Sequence, residues 1–432
     1  MRVREKVRWL AQALLLALAV ACGGGGGDGG GGGGGSGSPA ISNLSYNPAS
    51  VYVNFGGGQA TISGSVTFAN ASGGIASATI QIVDSGGTTL SATTTPVPGG
   101  SGVTSGTIHG TVLAGTTLVG NYTVRVWITD LAGRISNTLT GSFRVAQNPW
   151  TAKTPMPNQR QDFAIAVSGG LVYVIGGELL GTNTFPGPAS ALVDIYNPAT
   201  GSWSAGVSMP TARRKPVAAT VNGVIYVIGG ETTGATPELA TVEAFDPAAS
   251  GWSTAAPMPT ARHTAAATTV NGQICVFGGR SGGNTIDSVD CFDPVANTWS
   301  PEASMPTARH ALGSDTVGGF AYAVGGHNLA GPLTTVERFD AVNHSWAAVA
   351  SMATRREAAA IVAASGLLFA IGGLDTAALD SVESYDPSLG TWSNKTSMPL
   401  PLTRLGAVTI GGSIYVFHSV NTLQYVPADD LL

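Results

Sequence analysis

The chain has 432 residues, of which 61 are glycine and only 10 % are charged. Its 20 Lys+Arg against 25 Asp+Glu leave no basic surplus to neutralise phosphates, which excludes a nucleic-acid binder. Three cysteines exclude a four-cysteine zinc module and a disulfide-dense miniature scaffold, while 43 % hydrophobic residues supply large cores and exclude global disorder.

The first segment reads as an address. Arg2, Arg4, Lys6 and Arg8 against Glu5 form a basic start, and residues 9–21 are mostly apolar, so residues 1–21 read as a secretory signal peptide. The apolar run is too short for a membrane-spanning helix. It ends in Leu18-Ala19-Val20-Ala21-Cys22, followed over residues 23–35 by glycine broken only by Asp28. Small residues before a lone Cys and then a flexible tract resemble the bacterial lipobox, although Ala19 stands where that motif usually has Leu. The resemblance implies cleavage before Cys22, acylation of Cys22, and a lipid anchor at the outer membrane or cell surface, facing outward or into the periplasm. Residues 22–39 then form a tether with a reach of roughly 20–25 Å.

Residues 40–147 carry only Asp84, Arg125, Asp130, Arg134 and Arg144 as charges. Val/Ile/Thr-rich runs at 41–46, 60–68, 78–83, 88–92, 103–113, 122–129 and 135–145 alternate with Gly/Ser/Pro turns. This pattern predicts a small immunoglobulin-like β-sandwich, acting as a spacer or adhesion module.

From residue 148 to the C-terminus the chain repeats. Trp150, Trp203, Trp252, Trp299, Trp346 and Trp392 mark intervals near 50 residues. Within them recur a phrase such as Met305-Pro306-Thr307-Ala308-Arg309, an apolar run ending in Gly-Gly, and an aromatic before a turn, as in Phe292-Asp293-Pro294. This vocabulary resembles the kelch family, in which each repeat is one four-stranded propeller blade. Counting inner strands after Arg160, Arg213, Arg262, Arg309, Arg356 and Arg404 gives six blades. None of the outer-strand tryptophans follows Tyr425, so Trp150 supplies the sixth outer strand and closes the ring. The predicted fold class is all-β: a six-bladed kelch-type propeller over residues 148–432 preceded by the sandwich.

Repetition separates scaffold from site, because a residue present in every blade is needed to build a blade. The six arginines stay open under this test: each either pairs with a carboxylate or carbonyl at a blade junction, or belongs to a cationic rim. Two-residue turns such as Asn222-Gly223 and Asn271-Gly272 fix hairpin register. They oppose Gln161 to Glu178, Arg214 to Glu231, His263 to Arg280, His310 to His327, Glu357 to Leu374 and Leu405 to His418. These pairs share one rim and differ from blade to blade, so the rim is the expected ligand-binding face. The alternative is a set of solvated loop ends.

His310 and His327 are candidate metal ligands. Cys275 and Cys291, on adjacent strands of blade three, are expected to form a disulfide. The expected function is a monomeric, lipid-anchored binding protein with no cofactor and with a protein or glycan ligand. The rival reading is a periplasmic sugar-modifying enzyme similar to sialic-acid mutarotases, with Arg214, Glu231, Glu178 and Arg280 supplying the chemistry.

Overall fold

The computed structural model describes residues 17–21, 37–47, 50–52, 59–115, 119–181, 187–233, 238–419 and 421–430. Residues 1–16 and 22–36, with Cys22 and most of the Gly tether, lie outside them. The chain divides into two compact units, Met1–Asn148 with Leu431 and Pro149–Asp430 with Leu432. Apart from one 3₁₀ turn, Pro427–Asp429, the described residues form strands and connections, and no helix among them is long and apolar enough to cross a membrane.

The first unit is a sandwich of two sheets. One contains Ala40–Asn47, Gln59–Ala69 and Gly106–Gly115; the other contains Ile75–Val83, Thr89–Pro96, Gly120–Asp130 and Leu139–Ala146. Alternating Val, Ile and Phe turn inward, so that Ile41, Val66, Phe68, Ile75, Ile108, Val126 and Ile128 share one core. A short strand that the sequence did not announce, Ser50–Tyr52, pairs parallel with Leu139–Ala146. Ala17–Ala21, inside the expected signal peptide, pairs with Gly106–Gly115 at the sheet edge, and cleavage before Cys22 would remove it.

The second unit contains six four-stranded antiparallel sheets. Blades one to five run in chain order, with inner strands Ala164–Ser168, Val217–Val221, Ala266–Val270, Gly313–Val317 and Ala360–Ala364. Blade six takes Gly406–Ile410, Ser413–His418 and Asn421–Tyr425 from the C-terminus and Trp150–Lys153 from the start of the unit. Trp150 lies opposite Tyr425. Neighbouring inner strands are in contact all the way round, the first with the sixth included.

The same aromatic relay holds five of the six junctions. Phe292 packs on Trp299 of its own blade and on Tyr226 of the preceding one, at ring centroids 5.2 and 5.5 Å apart. Trp299 donates its indole N–H to the Ala256 carbonyl beyond the preceding outer strand, at 2.8 Å. Trp150 makes the equivalent bond to the Thr396 carbonyl, and Trp203 to that of Thr154, so the closing junction is built like the others.

Blade three departs from the relay. Cys275 holds the position of Tyr173, Tyr226 and Tyr322 and is joined by a disulfide to Cys291, directly opposite it. The ring lost there is replaced two residues later by Phe277, which packs on Phe339 and Trp346.

Candidate functional site

Five of the arginines are scaffold. Arg160, Arg213, Arg262, Arg309 and Arg356 are fully buried, each paired with the third-strand carboxylate of its blade: Asp194, Glu243, Asp290, Glu337 and Glu383. In blades two to five the guanidinium also clamps both ends of the loop between the second and third strands. Arg309 Nη1, for example, donates to the carbonyls of Gly325 and Thr335 at 3.2 and 2.9 Å. Burial pulls these guanidinium pKa values down and the facing carboxylates pull them partly back.

The backbone carbonyls of Arg213, Arg262, Arg309 and Arg356 accept from the preceding blade's Gly-Gly pair, as in Gly230 N–H to Arg262 at 2.9 Å. A Cβ on Gly229 would lie 2.6 Å from that oxygen, and Gly229 has φ +61°. The pair is glycine because the next blade sits against it.

Arg404 is not the sixth member. Gly373 N–H bonds the carbonyl of Leu402, four residues after Met398, as Arg309 is four after Met305. The carboxylate position holds Leu423, and both leucines lie in the apolar core of the ring. Arg404 is two residues further on, exposed, with Nη1 3.0 Å from Asp162 Oδ2. The count of six equivalent arginines is corrected to five.

The mouth of the central channel is fixed by a backbone belt. Asp162, Lys215, Thr264, Ala311, Ala358 and Arg404, one per blade, all have φ between +49° and +56°. The N–H of each of the last five donates to the carbonyl of the one before, at 2.7–3.4 Å. At the sixth junction the Arg404–Asp162 ion pair joins the ends. Left-handed backbone at six non-glycine residues costs about 1–2 kcal/mol each, so neighbouring blades must hold it in place. Below the belt lies a cavity of ≈ 440 Å³ lined by all six inner strands; Phe163, Pro216, Ala265, Leu312, Ala359 and Leu405 form its top.

The predicted rim residues stand beside this belt. Gln161 faces Glu178, Arg214 faces Glu231, His263 faces Arg280, His310 faces His327, and Glu357 faces Leu374. The sixth pair is different. Leu405 lines the cavity, and His418 ends the second strand opposite Asn421. By the same register the rim position of blade six is Thr403, three residues before its inner strand, so His418 is corrected to the strand end. Burial pushes the His418 imidazole pKa down.

Glu231 is the electrostatic hub. Its Oε1 is 2.9 Å from Arg214 Nε and 2.7 Å from Lys215 Nζ, and its Oε2 is 3.7 Å from His263 Nε2. Burial pushes this carboxyl up, but Lys215, His263 and Arg214 outweigh it and hold the pKa below the ordinary value. Glu178 is also engaged, accepting from Gly187 N–H at 2.7 Å and from Gln161 Nε2 at 3.4 Å. Arg280 Nη2 donates to the Gly283 carbonyl at 3.0 Å. Across from this charged half, His310 and His327 meet at a tilt of 51° with ring centroids 5.2 Å apart, and Glu357 lies beside them.

The sequence of the second unit matches the KLHDC2/KLHL20/DRC7 Kelch-repeats domain over residues 162–349 and 252–418. The chain belongs to the kelch-repeat family. Ahead of the kelch propeller, residues 38–147 match a bacterial Ig-like domain. A 99-residue stretch is 29 % identical to beta-scruin of Limulus polyphemus, covering 23 % of this chain and a tenth of that protein's length. The solved structure titled "Structure of YjhT" superposes with a TM-score of 0.53 at 14 % identity, over 62 % of this chain and 92 % of that one, which shows the common fold.

Two features of the mouth were not read from sequence. The belt residues carry no glycine or asparagine to signal left-handed backbone, because contacts between blades impose it. Asp315 was also missed. It stands where other inner strands have Ala166, Ala219, Thr268, Val362 and Val408, and its carboxylate accepts from Ala363 N–H at 2.7 Å and from Thr268 Oγ1 at 3.3 Å. Its break with the repeat was the available signal.

Proposed function

We propose that this kelch protein is an exported, lipid-anchored recognition module whose channel mouth receives a polar segment of a glycan or protein. The observation that carries the reading is the contrast between a repeated scaffold and an unrepeated mouth. Gln161, Arg214, His263, His310, Glu357 and Thr403 occupy one structural position and present six different surroundings above one cavity. Recognition, more than proton transfer, suits the charged half. Arg214 and Glu231 neutralise each other, Glu178 holds a loop amide, and Arg280 holds a carbonyl. Acylation of Cys22 and the Gly tether would hold the mouth away from a bilayer.

The test uses the soluble fragment 38–432 on a glycan array and in cross-linking to cell-surface proteins. Arg280→Ala/Gln161→Ala should abolish the captured ligand while leaving the melting temperature within about 2 °C. Undiminished capture by that variant would refute the mouth as the binding face.

A further inference from the structure

We infer that His310, His327 and Glu357 form a binding site for a divalent first-row transition ion at the channel mouth. One ligand atom from each lies within 4.8 Å of the others, across the junction of blades four and five. Tetrahedral zinc needs ligand separations of about 3.4 Å, so binding requires His327 and Glu357 to close in on His310 by about an ångström. Two imidazoles and one carboxylate are a donor set that such ions accept with a coordination position left open.

Independent observations favour the site. The Thr285 hydroxyl occupies His310 Nδ1 at 3.0 Å, which fixes the ring and leaves Nε2 for an ion, as outer partners do at metal-bound histidines. His327 Nδ1 is shielded from solvent and has no hydrogen-bond partner. Opposite Glu357 stands Leu374, so no cation on the facing strand competes for its carboxylate. Arg280 and Lys215 lie close enough to act electrostatically on His310. Those same cations oppose a dication. Lys215 and Arg214 are offset by Glu231, and Glu357 supplies the remaining negative charge. The open position would face the mouth, where a carboxylate or hydroxyl of a bound ligand could complete it.

The inference concerns the face proposed above for recognition but needs no partner to be read, so either can fail alone. Zinc is the probe: fragment 38–432 is freed of metal, titrated calorimetrically with Zn²⁺ at pH 7.5, and then assayed for retained metal. One ion per chain is expected, with affinity falling at least 100-fold in His310→Gln/His327→Gln and about 10-fold in Glu357→Gln. Cobalt absorption on the unmutated protein supplies a readout independent of variant folding, with visible bands expected at one equivalent. Absence of stoichiometric zinc together with absence of cobalt bands, or equal binding by well-folded variants, would overturn the site.

Discussion

Blades two to five and blade six solve one problem in two ways. In blades two to five the second and third strands are joined by a long loop that rises at the mouth, and a buried arginine clamps both ends of it while meeting a carboxylate. In blade six the same strands are joined by the two residues between His418 and Asn421, with no loop to clamp. There the arginine has become Leu402 and the carboxylate Leu423. A buried ion pair is an expensive way to stabilise a core, and apolar residues often do as well. The five pairs therefore mark where carbonyls need donors, and the sixth position shows that the blade itself does not require one.

The largest effect that tests this contrast comes from removing half a pair. Arg309→Leu strands Glu337 and the loop carbonyls in the interior and should cost about 3–5 kcal/mol by chemical denaturation. Arg309→Leu/Glu337→Leu copies blade six and should recover at least half of that loss. A double variant as unstable as the single one would show that the pair is needed for the blade. Blade three offers a second departure from the repeat. Its disulfide closes a short loop, so Cys275→Ala/Cys291→Ala should cost up to about 3 kcal/mol by the chain-entropy model. A stability change within error would mean that Phe277 alone carries that junction.

The smallest effect concerns Asp315, the departure in blade four. Burial raises its pKa above the ordinary Asp value, only partly offset by bonds from Ala363, Thr316 and Thr268. A raised carboxyl stabilises the fold below its unfolded pKa of about 3.9, and that contribution is lost as pH rises through the native value. Asp315→Asn, which does not titrate, should therefore gain in stability on the unmutated protein between pH 3 and pH 7. A gain that shrinks with rising pH would contradict the assignment.

Much of this molecule was legible in its residues because the chain supplies its own internal comparison. The Trp150 strand, the aromatic relay and the hairpin register of five blades follow from counting, since two-residue turns leave no freedom of register. Blade six misled the count because Arg404 stands near the place of a missing arginine; measuring four residues from Met398 would have found Leu402. The left-handed belt was illegible for a physical reason. Its residues are Asp, Lys, Thr, Ala, Ala and Arg, and only the bonds between blades hold them in that conformation. Ser50–Tyr52 was missed because three residues carry no period.

The central claim is that the buried arginines of blades two to five serve the mouth loops and not the blades. Native-state hydrogen exchange on Arg309→Leu/Glu337→Leu reads this directly. The account predicts lost protection at the Gly325 and Leu333 amides, which close the blade-four loop carrying His327, with the strand amides of Phe320–Val324 unchanged. Equal loss across the strands, or full protection of the loop, would contradict it.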